Sequence, residues 1–323
     1  MGKIDVVRAG PLTSVQDLGR PGYRALGLSH GGALDLRAAQ IANLLAGNPP
    51  EAGLFEITLG AVQLRFADAR RVAWCGGEFT VQIARTNVPA GRPAFVRPGE
   101  ILKVGASPCG CRAWLAIGGG VEVPAVLGSR STDLRSGFGG YKGRALQDGD
   151  ELSLGKATAL AHETGQVAPW GAPQRWALTA MRIPILRIVR GAEWAQFEQK
   201  TWKAFLETAF RVSAQADRMG VRLEGAELAR KNKREMLSEA VAPGTVQVAN
   251  DEQPILLLGD CQTIGGYPRI AHVITVDLGA AAQLQPNDVV RFEEVTPAEA
   301  SALFLEREND LQLFRVGLAL RNS

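Results

Sequence analysis

Histidine and cysteine are scarce in this chain, and that scarcity removes several kinds of chemistry before any motif is considered. Three histidines, His30, His162 and His272, are scattered over 323 residues, and no paired cysteines stand at zinc-ligand spacing beside them. No metal site is therefore expected. The four cysteines are Cys75, Cys109, Cys111 and Cys261. One glycine separates Cys109 from Cys111, too short a span for an ordinary disulfide, so all four read as reduced, partly buried thiols. Aromatic residues make up 6%, and 36 Lys and Arg against 33 Asp and Glu leave a net charge of only +3. A nucleic-acid surface needs a basic stripe interleaved with aromatics, and none is present. No apolar run approaches the roughly 18 residues of a membrane span. The opening "MGKIDVVRAG" enters a strand-like segment without the apolar stretch of a signal peptide. The expectation is a globular protein of the cytoplasm with neither membrane nor nucleic acid as partner.

What the chain has in quantity is glycine and proline, 37 and 17 residues, punctuating short runs of Val, Ile, Leu and Phe. Strand candidates lie at 4–9, 61–66, 79–84, 101–105, 112–117, 185–190, 245–249, 254–259, 272–278 and 288–295. Val62, Leu64 and Phe66 alternate with Gln63 and Arg65, the period of a half-buried strand. Helical periodicity is confined to 34–47, 192–210 and 295–312, the last opening with Thr296, Pro297 and Glu299 as a capping box. The fold class is thus mainly β with a few helices, in barrels or sandwiches rather than βαβ units. A turn-then-strand pattern recurs at 96–105, 146–155 and 284–293, which suggests two related barrels. The expected organisation is a first β-barrel region over 1–155, an Ala- and Pro-rich linker over 156–183, a second barrel region over 184–295 and a helical segment over 296–323.

Polar side chains cluster in glycine-tethered loops. "GPLTSVQDLGRPGYRALGLSHGGALD" (10–35) carries Gln16, Asp17 and Arg20; Asp17 and Arg20 either pin the turn as an ion pair or meet substrate. "LGSRSTDLRSGFGGYKGR" (127–144) offers Arg130, Asp133 and Arg135, and two arginines so spaced suit a carboxylate or phosphate. Its "GFGGYKGR" lacks the spacing of a phosphate-binding P-loop. "SAQADRMGVRLEG" (213–225) adds Asp217 and Arg218. Glu235 and Glu239 stand four apart, either as an acid/base pair or as a solvated face. "GDCQTIGGYPRIAHVITVDLG" (259–279) surrounds Gly265 and Gly266 with Gln262, Thr263, Tyr267 and Arg269, and the two glycine amides are placed to polarise a carbonyl. His272 reads as a core or rim residue. No convincing Cys–His pair or metal-ligand set is seen. The expected catalytic set is Arg130, Asp133, Arg218 and Gln262. The expected substrate-binding set is Gln16, Asp17, Arg20, Arg135, Asp217, Thr263, Gly265, Gly266, Tyr267 and Arg269. These loops are expected to converge at one mouth of the β scaffold.

Six of these blocks, in order, resemble one family: the 10–35 loop, "ANLLAGNPPEAGLFEITLG", the 110–146 segment, "SAQADRMGVRLEG", "EMLSEAVAPGTVQV" and "CQTIGGYPRIAHV". The family is called allophanate hydrolase subunit 2, KipA or biotin-dependent carboxyltransferase, and the resemblance runs from about residue 5 to 294. It implies cyclophilin-like β-barrels. It also implies a role as the C subunit of a bacterial ATP-dependent 5-oxoprolinase, a hydrolase acting on a cyclic amide. That role is inactive without two partners, a KipI-like B subunit and a LamB/YcsF-like A subunit. ATP would be bound with those partners. Other members imply two alternatives: a carboxyltransferase component acting on urea or a similar amide, and a non-catalytic antagonist of a histidine-kinase inhibitor. No Met-Lys-Met biotin attachment site or ATP-grasp pattern is present, so no covalent biotin is expected on this chain.

Overall fold

Alternation decides where the chain is half-buried, and continuous burial marks where a strand is covered on both faces. Val62, Leu64 and Phe66 are buried and Arg65 is exposed, as the period of two requires. Strands Arg70–Gly76 and Arg112–Ile117 are buried at every position, so each must be packed from two sides. The computed structural model describes residues 2–156, 166–232 and 236–322; His162, Glu235 and residues 157–165 of the expected linker lie outside the described residues.

The chain forms two units. The first takes residues through Arg20, then Gly31–Ala180 and the chain from Leu311 onward. Its larger sheet orders Val121–Glu122, Glu151–Leu154, Gly2–Arg8, Val62–Phe66, Ile101–Val104, Val81–Ile83 and Thr86–Asn87. Its smaller sheet orders Leu12–Gln16, Leu54–Thr58, Arg112–Ile117, Arg70–Gly76 and Ala94–Val96. Ile4, Leu64, Phe66 and Leu102 of the first sheet share one core with Val15, Phe55, Trp74 and Leu115 of the second. Helix Leu36–Ala46 packs on Arg70–Gly76 and Arg112–Ile117, which explains their burial on both faces. Its start is fixed by Asp35, whose carboxylate accepts from Ala38 N at 3.0 Å, and its end by Gly47 at φ 81°.

The helix-facing side of the smaller sheet carries an unusual row. Register places Ser14 opposite Glu56, Glu56 opposite Trp114, and Trp114 opposite Cys75. Glu56 is 2% exposed and accepts from Trp114 Nε1 at 2.8 Å and Leu34 N at 3.0 Å. A buried acid in an apolar strand is tolerable only with such donors.

The second unit comprises Pro21–His30 and Met181–Asp310. Its closed barrel runs Ile185–Arg190, Arg269–Val273, Thr245–Val248, Pro254–Leu257, Gly220–Glu224, Phe210–Ala216 and Val289–Glu294. All neighbours are antiparallel except the first and last, which pair parallel and close the ring. Helix Gln199–Glu207 sends Phe205 to stack on Phe292 at 4.6 Å between ring centroids.

Several boundaries differ from the sequence reading. Residues 12–16, read as loop, form a strand. The periodic stretch 192–210 divides into a short turn at Trp194–Gln196 and the helix Gln199–Glu207. Phe197 and Glu198 between them are extended, because the fully buried Phe197 bridges Arg230. The described part of the expected linker packs into the first unit: Phe95 N donates to Gln166 O at 2.8 Å, and Gly76 bridges Leu178. Thr296 and Glu299 cap the last helix reciprocally, and it runs through Pro297–Asn322. The closed barrel expected from strand count and resemblance is the second unit; the first distributes its strands over two sheets.

Candidate functional site

In the first unit the polar loops gather around one carboxylate. Asp17 leaves the end of strand Leu12–Gln16 and is 6% exposed. Its Oδ1 accepts from Ser129 Oγ at 2.6 Å, Ser131 Oγ at 2.5 Å and Gly19 N at 2.7 Å, and its Oδ2 from Arg130 N. Asp17 N in turn donates to Ser131 Oγ. The 127–133 segment is thereby tied to the 16–20 turn, as the spacing of neither loop alone reveals.

The Asp17–Arg20 ion pair weighed from the sequence does not form. Arg20 is fully buried; its Nη2 donates to Ser131 O at 2.5 Å, and its guanidinium lies 4.8 Å from the centre of the Phe138 ring. Nε and Nη1 of Arg20 have no hydrogen-bond partner among the described residues. Gln16, also fully buried, donates through Nε2 to Ser14 Oγ at 2.9 Å and Thr132 O at 3.3 Å, while its Oε1 has no partner. Gly139 makes this approach possible: at φ +68° a Cβ there would stand 2.2 Å from Ser131 O.

Of the other expected residues in this unit, Arg130 projects a half-exposed side chain 3.7 Å from Glu122. Asp133 turns the chain, accepting from Ser136 N at 2.9 Å, and Arg135 is exposed. In the glycine-rich turn after them, Gly137 N donates to Asp133 O and Gly143 N to Gly139 O. Lys142 rests against Tyr141.

In the second unit the expected arginines are held by carboxylates. Arg218, 5% exposed, forks onto Asp260 with Nε–Oδ2 at 2.8 Å and Nη2–Oδ1 at 3.0 Å. Arg269 grips Glu193 through Nε and Nη2 at 2.8 and 2.7 Å, donates its backbone N–H to the same carboxylate and also meets Glu239. Burial pushes the Glu193 carboxyl up, but these donors outweigh it and hold it below the ordinary 4.5. The hydrogen bond it donates to Glu193 raises the pKa of Arg269 in turn. Asp217 caps a turn, accepting from Met219 N and Gly220 N.

The Gln262–Tyr267 loop is tethered by Gln247, which is 1% exposed on strand Thr245–Val248. Gln247 Nε2 donates to Tyr267 O at 3.1 Å, and Gln247 Oε1 accepts from Gln262 Nε2 at 3.4 Å. Gly265 packs closely on this amide: a Cβ would sit 2.7 Å from Gln247 Nε2, which would have to shift. Gly265 pairs with Glu239 in a two-stranded ladder, and Gly266 lies beyond it. Thr263 O accepts from Val241 N at 3.1 Å. Arg24 donates to Val241 O and Gln262 O, fixing the loop from the 21–30 segment. His272 is a barrel-strand residue near Thr245 Oγ1, and burial lowers its pKa.

The sequence thus marked the loops but missed the residues that hold them: Ser129, Glu56, Glu193, Gln247 and Asp260. The available signal was a polar residue inside an apolar run, as in "LFEIT" and "TVQV". Chemically, the first cluster presents unspent guanidinium donors and an unspent amide acceptor in a dry setting. The second presents the Gln262 amide and the half-exposed Tyr267 on a rigid loop.

Comparison with known proteins agrees with this architecture. The chain is 39% identical over 320 residues to the C subunit of 5-oxoprolinase from Escherichia coli (strain K12), covering 98% of each. It is 36% identical over 316 residues to the corresponding 5-oxoprolinase C subunit of Haemophilus influenzae, covering 97% of each. The crystal structure of the K. lactis urea amidolyase superposes with a TM-score of 0.89 at 28% identity over 97% of this chain, which spans only 20% of that larger protein. The family described as carboxyltransferase domain, subdomain A and B, matches residues 26–294, and this chain belongs to it.

Proposed function

We propose that this chain is the C subunit of an ATP-dependent 5-oxoprolinase, which opens the lactam ring of 5-oxo-L-proline to L-glutamate. The observation that carries this reading is the 39% identity extending over 98% of both this chain and its E. coli relative. A lactam carbonyl is a poor electrophile. Transfer of the ATP γ-phosphoryl group to the lactam oxygen leaves a carbon that water attacks more readily; the ring C–N bond then breaks with the nitrogen taking up protons as the α-amine, and a second water cleaves the acyl phosphate to release phosphate. The ATP is bound together with a KipI-like B subunit and a LamB/YcsF-like A subunit, and the site is completed only in their presence. Four free, buried cysteines suit a reducing compartment such as the cytoplasm.

Within the chain, Arg130 is the expected catalytic arginine best able to turn toward developing negative charge, being half-exposed and loosely engaged by Glu122. Asp133 shapes the turn beside it. Arg218 and Arg269, already held by carboxylates, position the loops that carry Gln262, Thr263 and Tyr267. A carboxyltransferase acting on urea, with biotin on a separate carrier, is the second reading, favoured by the 0.89 TM-score to the urea amidolyase.

Reconstitution tests the proposal. The chain mixed with the two candidate partners should co-elute with them and release glutamate and ADP from 5-oxo-L-proline and ATP, while the chain alone should release neither. Turnover by the isolated chain at the rate of the full mixture would overturn it, as would a stable mixture that leaves 5-oxo-L-proline intact.

A further inference from the structure

A fully buried guanidinium without an ion-pair partner is an expensive arrangement, because desolvating a charge costs several times what one neutral hydrogen bond returns. Arg20 is in that position. It is 0% exposed and its one hydrogen bond is to Ser131 O. The nearest acid in sequence, Asp17, is occupied by Ser129, Ser131, Gly19 and Arg130 N. Arg218, also buried, has Asp260, and the partly buried Arg269 has Glu193. Gln16 Oε1 is likewise a buried acceptor with no donor among the described residues. The two side chains are bonded to consecutive carbonyls, Ser131 O and Thr132 O, so the unspent donors and the unspent acceptor belong to one segment of the fold.

We infer that Arg20 and Gln16 form a half-site for a carboxylate bearing an amide N–H on the same carbon. Nη1 of Arg20 takes a carboxylate oxygen, and Gln16 Oε1 takes the N–H. 5-Oxo-L-proline presents that edge, because its carboxylate and ring nitrogen share the α-carbon; urea has no carboxylate to offer. The assignment rests on the proposed function for the identity of the substrate, but the donor and acceptor set stands on its own geometry. Phe138 covers the guanidinium from a turn where Gly137, Gly139, Gly140 and Gly143 all have positive φ.

The test uses the full chain, alone and with its candidate partners, and three probes: 5-oxo-L-proline, N-acetylglycine (an acyclic α-amido acid) and 2-pyrrolidinone (the ring amide without the carboxylate). In the unchanged protein both acids should shift the ¹⁵N resonance of Arg20 Nε, and 2-pyrrolidinone should not. Arg20→Met should weaken binding of both acids by about 100-fold or more, alter 2-pyrrolidinone binding by less than about threefold, and leave the Tm no lower. Gln16→Leu should weaken the acids by a smaller factor, on the order of tenfold. If Arg20→Met fails to fold, the titration of the unchanged protein decides alone. Silence of Arg20 Nε toward both acids, in the chain and in the mixture, overturns the half-site and assigns these atoms to a buried water. So does undiminished acid binding by Arg20→Met. Acid binding in a mixture that cannot open the ring keeps the half-site and removes the 5-oxoprolinase reading instead.

Discussion

Asp17 collects four donors on one carboxylate, three of them from the 129–131 segment. Asp17→Ala strands two hydroxyls and two backbone N–H groups in a dry setting. The expected loss is about 3–5 kcal/mol of folding stability, measurable by urea unfolding. Asp17→Asn, which keeps one acceptor oxygen, should lose less. Glu193 makes a second residue-scale prediction, this one in pH. Its folded pKa lies below the ordinary 4.5, so its stabilising contribution is complete above that value and is lost as pH falls through the folded value. Glu193→Gln should lower the Tm at pH 7, and the gap between the two proteins should narrow as pH drops below about 4.5. A gap that stays constant from about pH 7 to about pH 3 would mean that the Arg269 clamp contributes nothing through charge. The carboxylates that engage Arg218 and Arg269 could not be read from spacing, because Asp260 and Glu193 are 42 and 76 residues from their partners.

Elements were legible where local pattern and tertiary packing agree. The helix expected over 34–47 is Leu36–Ala46, since its apolar stripe, Asp35 cap and Gly47 stop all act locally. The capping box at Thr296 and Glu299 was equally local. Strand Leu12–Gln16 was read as loop because "LTSVQ" is polar at alternate positions on a face that turns out to be buried. There Ser14 lies opposite Glu56 rather than opposite water. The 192–210 stretch has good helical periodicity, yet Phe197 is drawn extended into the core and Trp194 stacks on Trp202 at 5.5 Å, so tertiary contacts override the period. The helix Leu36–Ala46 should matter to the sheet it covers: Ile41→Ala, at a fully buried position, is expected to cost about 2–5 kcal/mol in denaturant unfolding. A loss under about 1 kcal/mol would show that the helix is not what seals that face.

For the whole molecule, glycine and proline punctuation gave the β class and the existence of two regions, but not how the chain is shared between them. The 21–30 segment belongs with the second unit although it follows the first strands, and residues from 311 onward return to the first. Such exchanges leave no compositional trace, because short polar segments look alike whichever core they join. The candidate site was legible as a set of loops, since glycine-tethered polar clusters are unusual in connecting turns. Its internal logic was not, because which guanidinium stays unpaired depends on partners more than a hundred residues away, as Ser131 is from Arg20. Family membership follows from the ordered blocks and the match over 26–294; the substrate is the claim that most needs a direct trial. With both candidate partners, ATP and equimolar 5-oxo-L-proline and urea, ADP release should track glutamate formation and leave urea untouched. Consumption of urea with 5-oxo-L-proline unchanged, requiring a biotin carrier for turnover, would contradict the account.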